Sequence, residues 1–358
     1  MHFKSILRLS AVALGLSLFG AGCLFGAPAA TGPAGPDTGL WKSSDHGQTW
    51  VNKKAYVDGP RLTAAAAEFA VQSMAIDPQD RMAVYMGTSN YGLVYSLDGG
   101  DSWQRFKTLD ATNVKTVAVD NKNKCTVYAT SQNKIYKTTT CGRDWQVVFF
   151  DPRTDKFFTQ IAIDWFNPTV LYSGTSDGDI FKSTDAGVKW QVVKRANAPI
   201  NSLVVSTVDS RMVIAGTDGD GLWKTLDGGI TWLQVKKEFG DITEARRTIQ
   251  VVIDPTNNNR IYVVHKSGIA KSDDQGSTWT AMTLLTDVGE GKITRMSVDP
   301  NNGKNIVYTG PTAVVFSVDG GQSWETKRLP STGAGTAVNV DSKDGNVIYL
   351  GTTPVKKK

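Results

Sequence analysis

SLDGGDSW, residues 96–103, is one copy of an octapeptide that recurs along the chain. The pattern is Ser or Thr, any residue, Asp, any residue, Gly, any residue, usually Ser or Thr, then Trp. Other copies are SSDHGQTW (43–50), STDAGVKW (183–190), TLDGGITW (225–232), SDDQGSTW (272–279) and SVDGGQSW (317–324), with a degenerate TTTCGRDW at 138–145. Successive copies start 42 to 53 residues apart, a period that belongs to repeat architectures and not to a string of independent domains. The short carboxylates of Asp45, Asp98, Asp185, Asp227, Asp274 and Asp319 suit backbone N–H groups of their own turn. The following Gly permits the positive φ of a tight turn. The terminal Trp50, Trp103, Trp145, Trp190, Trp232, Trp279 and Trp324 each supply a large apolar face to pack between sheets. The motif therefore reads as a hairpin closure, with a structural role for these residues.

The same local context surrounds each copy. Upstream lies an apolar strand ending in Asp, such as VQSMAID (71–77), VKTVAVD (114–120), FTQIAID (158–164), IQVVID (249–254) and ITRMSVD (293–299). A β-rich run closing on Gly follows, such as VYMGT (84–88) or LYSGT (171–175). A third strand leads into the octapeptide and a fourth leaves from its Trp, which makes a four-stranded antiparallel propeller blade. Six complete blades begin near Phe69, Val114, Phe158, Asn201, Thr248 and Ile293. The stretch 336–352 supplies only two first strands, and 39–52 only two last strands. Together they complete a seventh blade, so the fold expected is an all-β, seven-bladed β-propeller closed by both termini, which leaves no free sheet edge. The domain runs 39–353, with a short basic tail at 354–358.

The 358 residues are 20% charged and 40% apolar, a globular balance, with 35 glycines to serve many turns. The net charge of +5 includes Lys4 and Arg8 of a segment read as removable. No basic stripe interleaved with aromatics argues for nucleic acid. At the N-terminus a positive region, an apolar run over 9–19 and small residues ahead of Cys23 form a signal of residues 1–22. The site resembles a bacterial lipobox, with Gly20 where an aliphatic residue is usual. Lipidation of Cys23 is expected, a simply secreted protein being the alternative. Residues 23–38, rich in Ala, Gly and Pro, read as a flexible tether. The two remaining cysteines, Cys125 and Cys141, flank one hairpin, and export favours a disulfide between them.

The octapeptides resemble the Asp-box, or BNR repeat, and cover nearly the whole mature chain. Sialidases, xyloglucanase-type glycoside hydrolases, sortilin-type receptor ectodomains and the propeller assembly factor of photosystem II share it. Seven blades in one domain, with strands ending in Asp-Pro (77–78, 254–255, 299–300), are most similar to the last group and its bacterial relatives. The resemblance implies an extracytoplasmic, membrane-tethered, monomeric scaffold that binds a protein partner, such as an assembly or stability factor for a membrane complex. The alternative is a carbohydrate-binding or glycoside-hydrolase propeller of sialidase or xyloglucanase type.

Catalytic residues are not apparent. A glycosidase needs two carboxylates facing one another across a cleft, and most aspartates here repeat with the blades. The sialidase arginine motif is absent, since Gly59-Pro60-Arg61 has the residue without the order. Of three histidines, His2 lies in the signal, His46 at a variable and expectedly exposed octapeptide position, and His265 at a strand end. No cofactor or metal centre is expected. Asp177 with Asp179, and Asp218 with Asp220, read as turn residues, with a weak Ca²⁺ site as the alternative. Binding is expected on the face holding the connections into each first strand, where 51–68, 236–247 and 283–292 are longest. Arg61, Arg153, Lys156, Arg195, Arg246, Arg247, Lys292 and Arg295 gather at these connections. Of them Arg153, Arg195, Arg246, Arg247 and Arg295 are the candidate partner-binding residues, the last three close together near the channel mouth. Clustered arginines suit an acidic partner, with Tyr56, Tyr91, Phe157 and Phe239 adding contact area.

Overall fold

The computed structural model describes residues 37–109, 111–284 and 293–355. The signal, Cys23, most of the tether, Lys292 and the last three lysines lie outside the described residues. Seven antiparallel sheets stand in a ring, each with a core of four strands. Their first strands are Val71–Ile76, Thr116–Val119, Phe158–Ile163, Ile200–Val205, Thr248–Asp254, Arg295–Asp299 and Ala334–Val340. They follow one another round the centre, and the last lies against the first. We number the blades in this order. Blade 7 is the composite one: Gly39–Ser43 pairs with Ile348–Thr353, Trp41 opposite Leu350, and Val51–Asn52 forms its outer edge. Trp50 packs with Ile348, Leu350 and Phe316 in the layer between blades 6 and 7. Closure is hydrogen-bonded as well as apolar, for Thr336 Oγ1 donates to Val71 O at 2.6 Å and Asn339 Nδ2 to Met74 O at 3.2 Å. Among the described residues no helix is long and apolar enough to cross a membrane.

Blade 1 departs from the four-strand expectation. Part of the supposed loop 51–68 is a hairpin, Ala55–Asp58 with Arg61–Thr63, that adds two strands to the outer edge of this blade. Ala55–Asp58 pairs in parallel with the fourth strand, Tyr56 opposite Trp103. Tyr56 meets Phe69 and Tyr91 at centroid separations of 5.7 and 5.9 Å and so extends the core around the fully buried Trp103. The connection 236–247 is likewise anchored. Phe239 is buried against Trp279 at 4.9 Å and is not a surface aromatic, contrary to expectation.

The octapeptide forms the turn between third and fourth strands, as its composition predicts. In blade 5 the Ser272 hydroxyl donates to Asp274 Oδ1 at 2.7 Å and accepts from the Gly276 N–H at 2.7 Å. Asp274 also accepts the Thr278 N–H at 2.8 Å and its hydroxyl at 2.6 Å. The arrangement recurs at Asp45, Asp227 and Asp319. At the end of the first strand, Asp77, Asp120, Asp164, Asp254, Asp299 and Asp341 each accept the N–H two residues on, and Ser206 does so in blade 4.

The fourth octapeptide position carries more than the sequence pattern shows. Its residue has φ between 54 and 78° in all copies: His46, Gly99, Cys141, Ala186, Gly228, Gln275 and Gly320. This left-handed turn aims its N–H inward, to a carbonyl at the start of the second strand of the same blade, at Asn346, Met82, Cys125, Thr169, Arg211, Asn259 and Lys304 respectively. In four copies its carbonyl meets the preceding blade. Lys42, Lys137, Lys182 and Lys224 on third strands donate to Gly99, Ala186, Gly228 and Gln275 at 2.6 to 3.0 Å. Tyr128 and Tyr172 on second strands join two of these contacts. The motif thus fastens blade to blade as well as closing a hairpin. His46, expected to be exposed, is half-buried against Phe316 at 5.5 Å.

In the degenerate copy the Thr140 hydroxyl stands in for the carboxylate. It accepts the Asp144 N–H at 3.0 Å, a single weaker acceptor than Asp. Cys125 and Cys141 form the expected disulfide, placed on the fourth-position contact itself, since Cys141 N–H donates to Cys125 O at 3.2 Å. The covalent bond reinforces the one turn that lacks its aspartate. Under a reductant, hydrogen exchange should rise first at residues 125–145 and only later in other blades; uniform loosening would contradict this.

The Asp274 pKa is drawn down to about 2, chiefly by the Thr278 hydroxyl and N–H and the Ser272 hydroxyl. Its value in the unfolded chain is about 3.9. The stabilisation is therefore complete above that value and lost as pH falls towards about 2. Asp274→Asn should melt below the wild type at neutral pH, and the gap should close on acidification from about pH 4 to pH 2. A gap that persists unchanged would assign the effect to shape instead of charge.

Candidate functional site

Strand direction divides the ring into two faces. One carries the octapeptide turns and the aspartate turns after the first strands. The other, the entry face, carries the connections into the first strands and the turns between second and third strands. The first strand described, Gly39–Ser43, begins on the entry face, and Ile348–Thr353 ends there.

The centre is a channel walled by the first strands. Their side chains bridge each blade to the next: Gln160 Nε2 to Asn201 O at 2.8 Å, Asn201 Nδ2 to Thr248 O at 3.1 Å, and Gln250 Nε2 to Met296 O at 3.1 Å. These bonds satisfy backbone groups on strand edges that no further strand covers. On the octapeptide face the channel opens through a mouth lined by Ile76, Pro78, Trp165 and Pro255 together with polar Gln250 and Lys343. On the entry face it opens through a mouth of about 460 Å³, lined by Asp218, Arg247, Lys266, Thr294, Arg295 and Thr336 among others.

The structure separates the five candidate arginines. Arg153 closes a carboxylate cluster in blade 3, donating to Asp151 (2.9 Å), Asp177 (2.8 Å) and Asp179 (3.0 Å). Arg195 joins at 3.1 Å through Asp179. The Arg153 hydrogen bond holds the Asp151 pKa below its ordinary value, against the opposing effect of burial. Arg246 turns its Nε to Lys236 O at 3.2 Å, while its carbonyl accepts the N–H groups of Gly219 and Gly221. It is a loop fastener, outside the lining of the mouth. Arg247 and Arg295 both line the mouth, Arg247 lying 3.5 Å from Asp218. Arg61 is exposed at the tip of the added hairpin, far along the chain from both groups.

The paired aspartates are taken by side chains of the protein. Asp179 holds two guanidinium groups, and Asp177 holds Arg153 and the Thr175 hydroxyl. Asp220 accepts from Lys236, Trp223, Gln234 and the Asn197 N–H. Among the described residues no group of three or more His, Cys, Asp or Glu is placed to hold a metal ion. His265 is buried at the end of the second strand of blade 5, and burial pushes its pKa down.

Exposed aromatics complete the entry face. Phe150 and Phe157 are 58% and 49% exposed on either side of the Arg153 cluster, where an amphipathic partner would find both apolar area and charge. Phe150 and Lys266 escaped the sequence reading. Phe150 ends a strand of four consecutive apolar residues after Gln146, and Lys266 sits in a two-residue turn; neither position signals exposure on a shared face.

Comparison with known proteins supports the fold. The family model described as sortilin, neurotensin receptor 3, matches residues 38–160, about a third of the chain. A solved structure of YCF48 bound to D1 peptide superposes with a TM-score of 0.61 at 18% identity, over 80% of this chain and 94% of that one. YCF48 from Cyanidioschyzon merolae gives 0.60 at 14%, over 80% and 96%. The GH74 enzyme of Niastella koreensis gives 0.53 at 19%, over 87% of this chain but 58% of its own. A probable oligoxyloglucan-reducing end-specific xyloglucanase of Neosartorya fischeri is 36% identical over 69 residues, 19% of this chain and 8% of that protein. The chain is thus similar to YCF48 and to sortilin-type propellers. It shares the propeller with the xyloglucanases, of which it spans only part.

Proposed function

We propose that this protein is a monomeric, extracytoplasmic propeller scaffold that binds a protein partner on its entry face and is tethered to a membrane through a lipidated Cys23. The observation that carries the binding reading is the concentration of non-repeating features there: Arg247 and Lys266 at the channel mouth, and Phe150 and Phe157 beside Arg153. Side chains that repeat in every blade hold the ring together, and these do not repeat. A partner presenting carboxylates and an apolar side chain is the complement. YCF48, a propeller of matching length, has been solved with a D1 peptide bound to it, which supports the same use of the fold here. The disulfide suits an oxidising compartment.

A glycosidase reading draws support from the xyloglucanase likeness. The carboxylates clustered on the entry face, at Asp151, Asp177, Asp179 and Asp220, already carry Arg or Lys partners, which leaves them poorly disposed as a general acid or nucleophile. Turnover of a fluorogenic glycoside panel would reverse this preference.

Crosslinking in native membranes followed by mass spectrometry should recover a defined partner, and Arg247→Glu with Lys266→Glu should deplete it at least about tenfold while leaving the melting temperature unchanged. An undiminished partner list would refute binding at this mouth. Cys23→Ala should move the protein from the membrane fraction to the soluble fraction. Retention in the membrane would refute the lipid anchor.

A further inference from the structure

The channel contains two cations without a carboxylate. Arg295, on the first strand of blade 6, and Lys115, immediately before that of blade 2, line the same central cavity of about 230 Å³. Arg295 donates to Thr294 O at 2.7 Å, and Lys115 Nζ reaches Gln72 Oε1 at 3.4 Å. Both acceptors are neutral. Among the described residues lining this cavity there is no Asp or Glu. Asp218, out at the mouth, already faces Arg247.

Several other partly buried cations have acids beside them. Arg260 has Asp254 and Asp273, Arg153 has three aspartates, and Lys53 has Asp101. Two lysines at the blade junctions also lie in the field of carboxylates, half-buried Lys137 near Asp185 and buried Lys224 near Asp274. The channel pair has no acid beside it: Arg295 is half-buried in the wall, and Lys115 is exposed where it lines the cavity. Enclosure pushes the Lys115 pKa down, and the positive charge of Arg295 pushes it further. Enclosure acts on Arg295 in the same direction. Two like charges lining one narrow polar space repel one another, and a counter-charge between them relieves that repulsion.

We propose that Arg295 and Lys115 form a site inside the channel for a small multivalent oxyanion: phosphate, sulfate or a small polycarboxylate. The guanidinium supplies a two-pronged donor and the ammonium a point charge, the combination that oxyanions of this kind accept. The amide and hydroxyl groups of Gln160, Asn201, Gln250 and Thr336 are turned to backbone carbonyls of the wall, which leaves the two cations and the unpartnered Ser73 hydroxyl as donors for a ligand. Arg295 lines both this cavity and the entry-face mouth, which gives a small ion a route from solvent. The site stands whether or not the entry face binds a protein.

The test uses purified mature protein dialysed into chloride buffer. Phosphate, sulfate and citrate are titrated separately by calorimetry, and melting is followed at matched ionic strength. At least one should bind with one anion per chain and raise the melting temperature of the wild type. Arg295→Gln and Lys115→Gln should each weaken that anion at least about tenfold, while Arg247→Gln retains it. In chloride alone the two channel variants should melt no lower than the wild type, because each removes a like-charge repulsion. Which titrant wins identifies the source of the oxyanion. Selenate soaked into crystals should give anomalous density between the two side chains, a readout independent of any variant. No binding up to about 10 mM of any titrant, or equal shifts in wild type and channel variants, would overturn the proposal.

Discussion

Every blade depends on one left-handed residue, the fourth of its octapeptide. A positive φ there turns the backbone so that its N–H faces the second strand of its own blade and its carbonyl faces outward, at the preceding blade in four of the junctions. The Asp before it and the Gly after it make that conformation tolerable. Asp supplies acceptors for the N–H groups that the reversal would strand, and Gly accepts a second consecutive positive φ without a Cβ clash. The lysines that meet these carbonyls are themselves half-buried or, for Lys224, buried, and burial lowers the pKa of Lys42, Lys137 and Lys224. An ammonium is tolerated at such a place because its protons find oxygen atoms directly in line.

Much of this was legible in the sequence. The period of the octapeptide, the complementary half-blades at 39–52 and 336–352, and the Cys125–Cys141 pair follow from residue types that have few other uses at those spacings. The fourth position was not legible. It holds His, Gly, Cys, Ala and Gln, and only the shared φ reveals its common task. The hairpin at 55–63 escaped for a different reason. Its pairing to Ser102–Arg105 is parallel and nonlocal, and the alternation of so short a strand does not name its neighbour.

The candidate site was read least well, and the physical cause is charge pairing. Sequence reads Arg153, Arg195, Arg246, Arg247 and Arg295 as blade-entry residues, but an arginine's availability depends on the carboxylates it meets in space. Asp151, Asp177 and Asp179 converge on Arg153 from a blade-entry connection and a hairpin turn. Arg246 is committed to a backbone carbonyl. Only the chain's path leaves Arg247 and Arg295 to a common opening, and Lys115, silent in sequence, to the same channel.

The two faces therefore stand under different constraints. On the octapeptide face each blade repeats the same Asp turns, and their hydrogen bonds are committed to the ring. A substitution there perturbs a joint. On the entry face the connections differ in length and composition from blade to blade, and their anchors, Phe239 under one and Tyr56 under another, hold the loops without prescribing their outer surface. A ring that is rigid on one side leaves the other free to vary, and the channel joins the two, so that a charge bound at its centre would stiffen the first strands from which every entry loop departs.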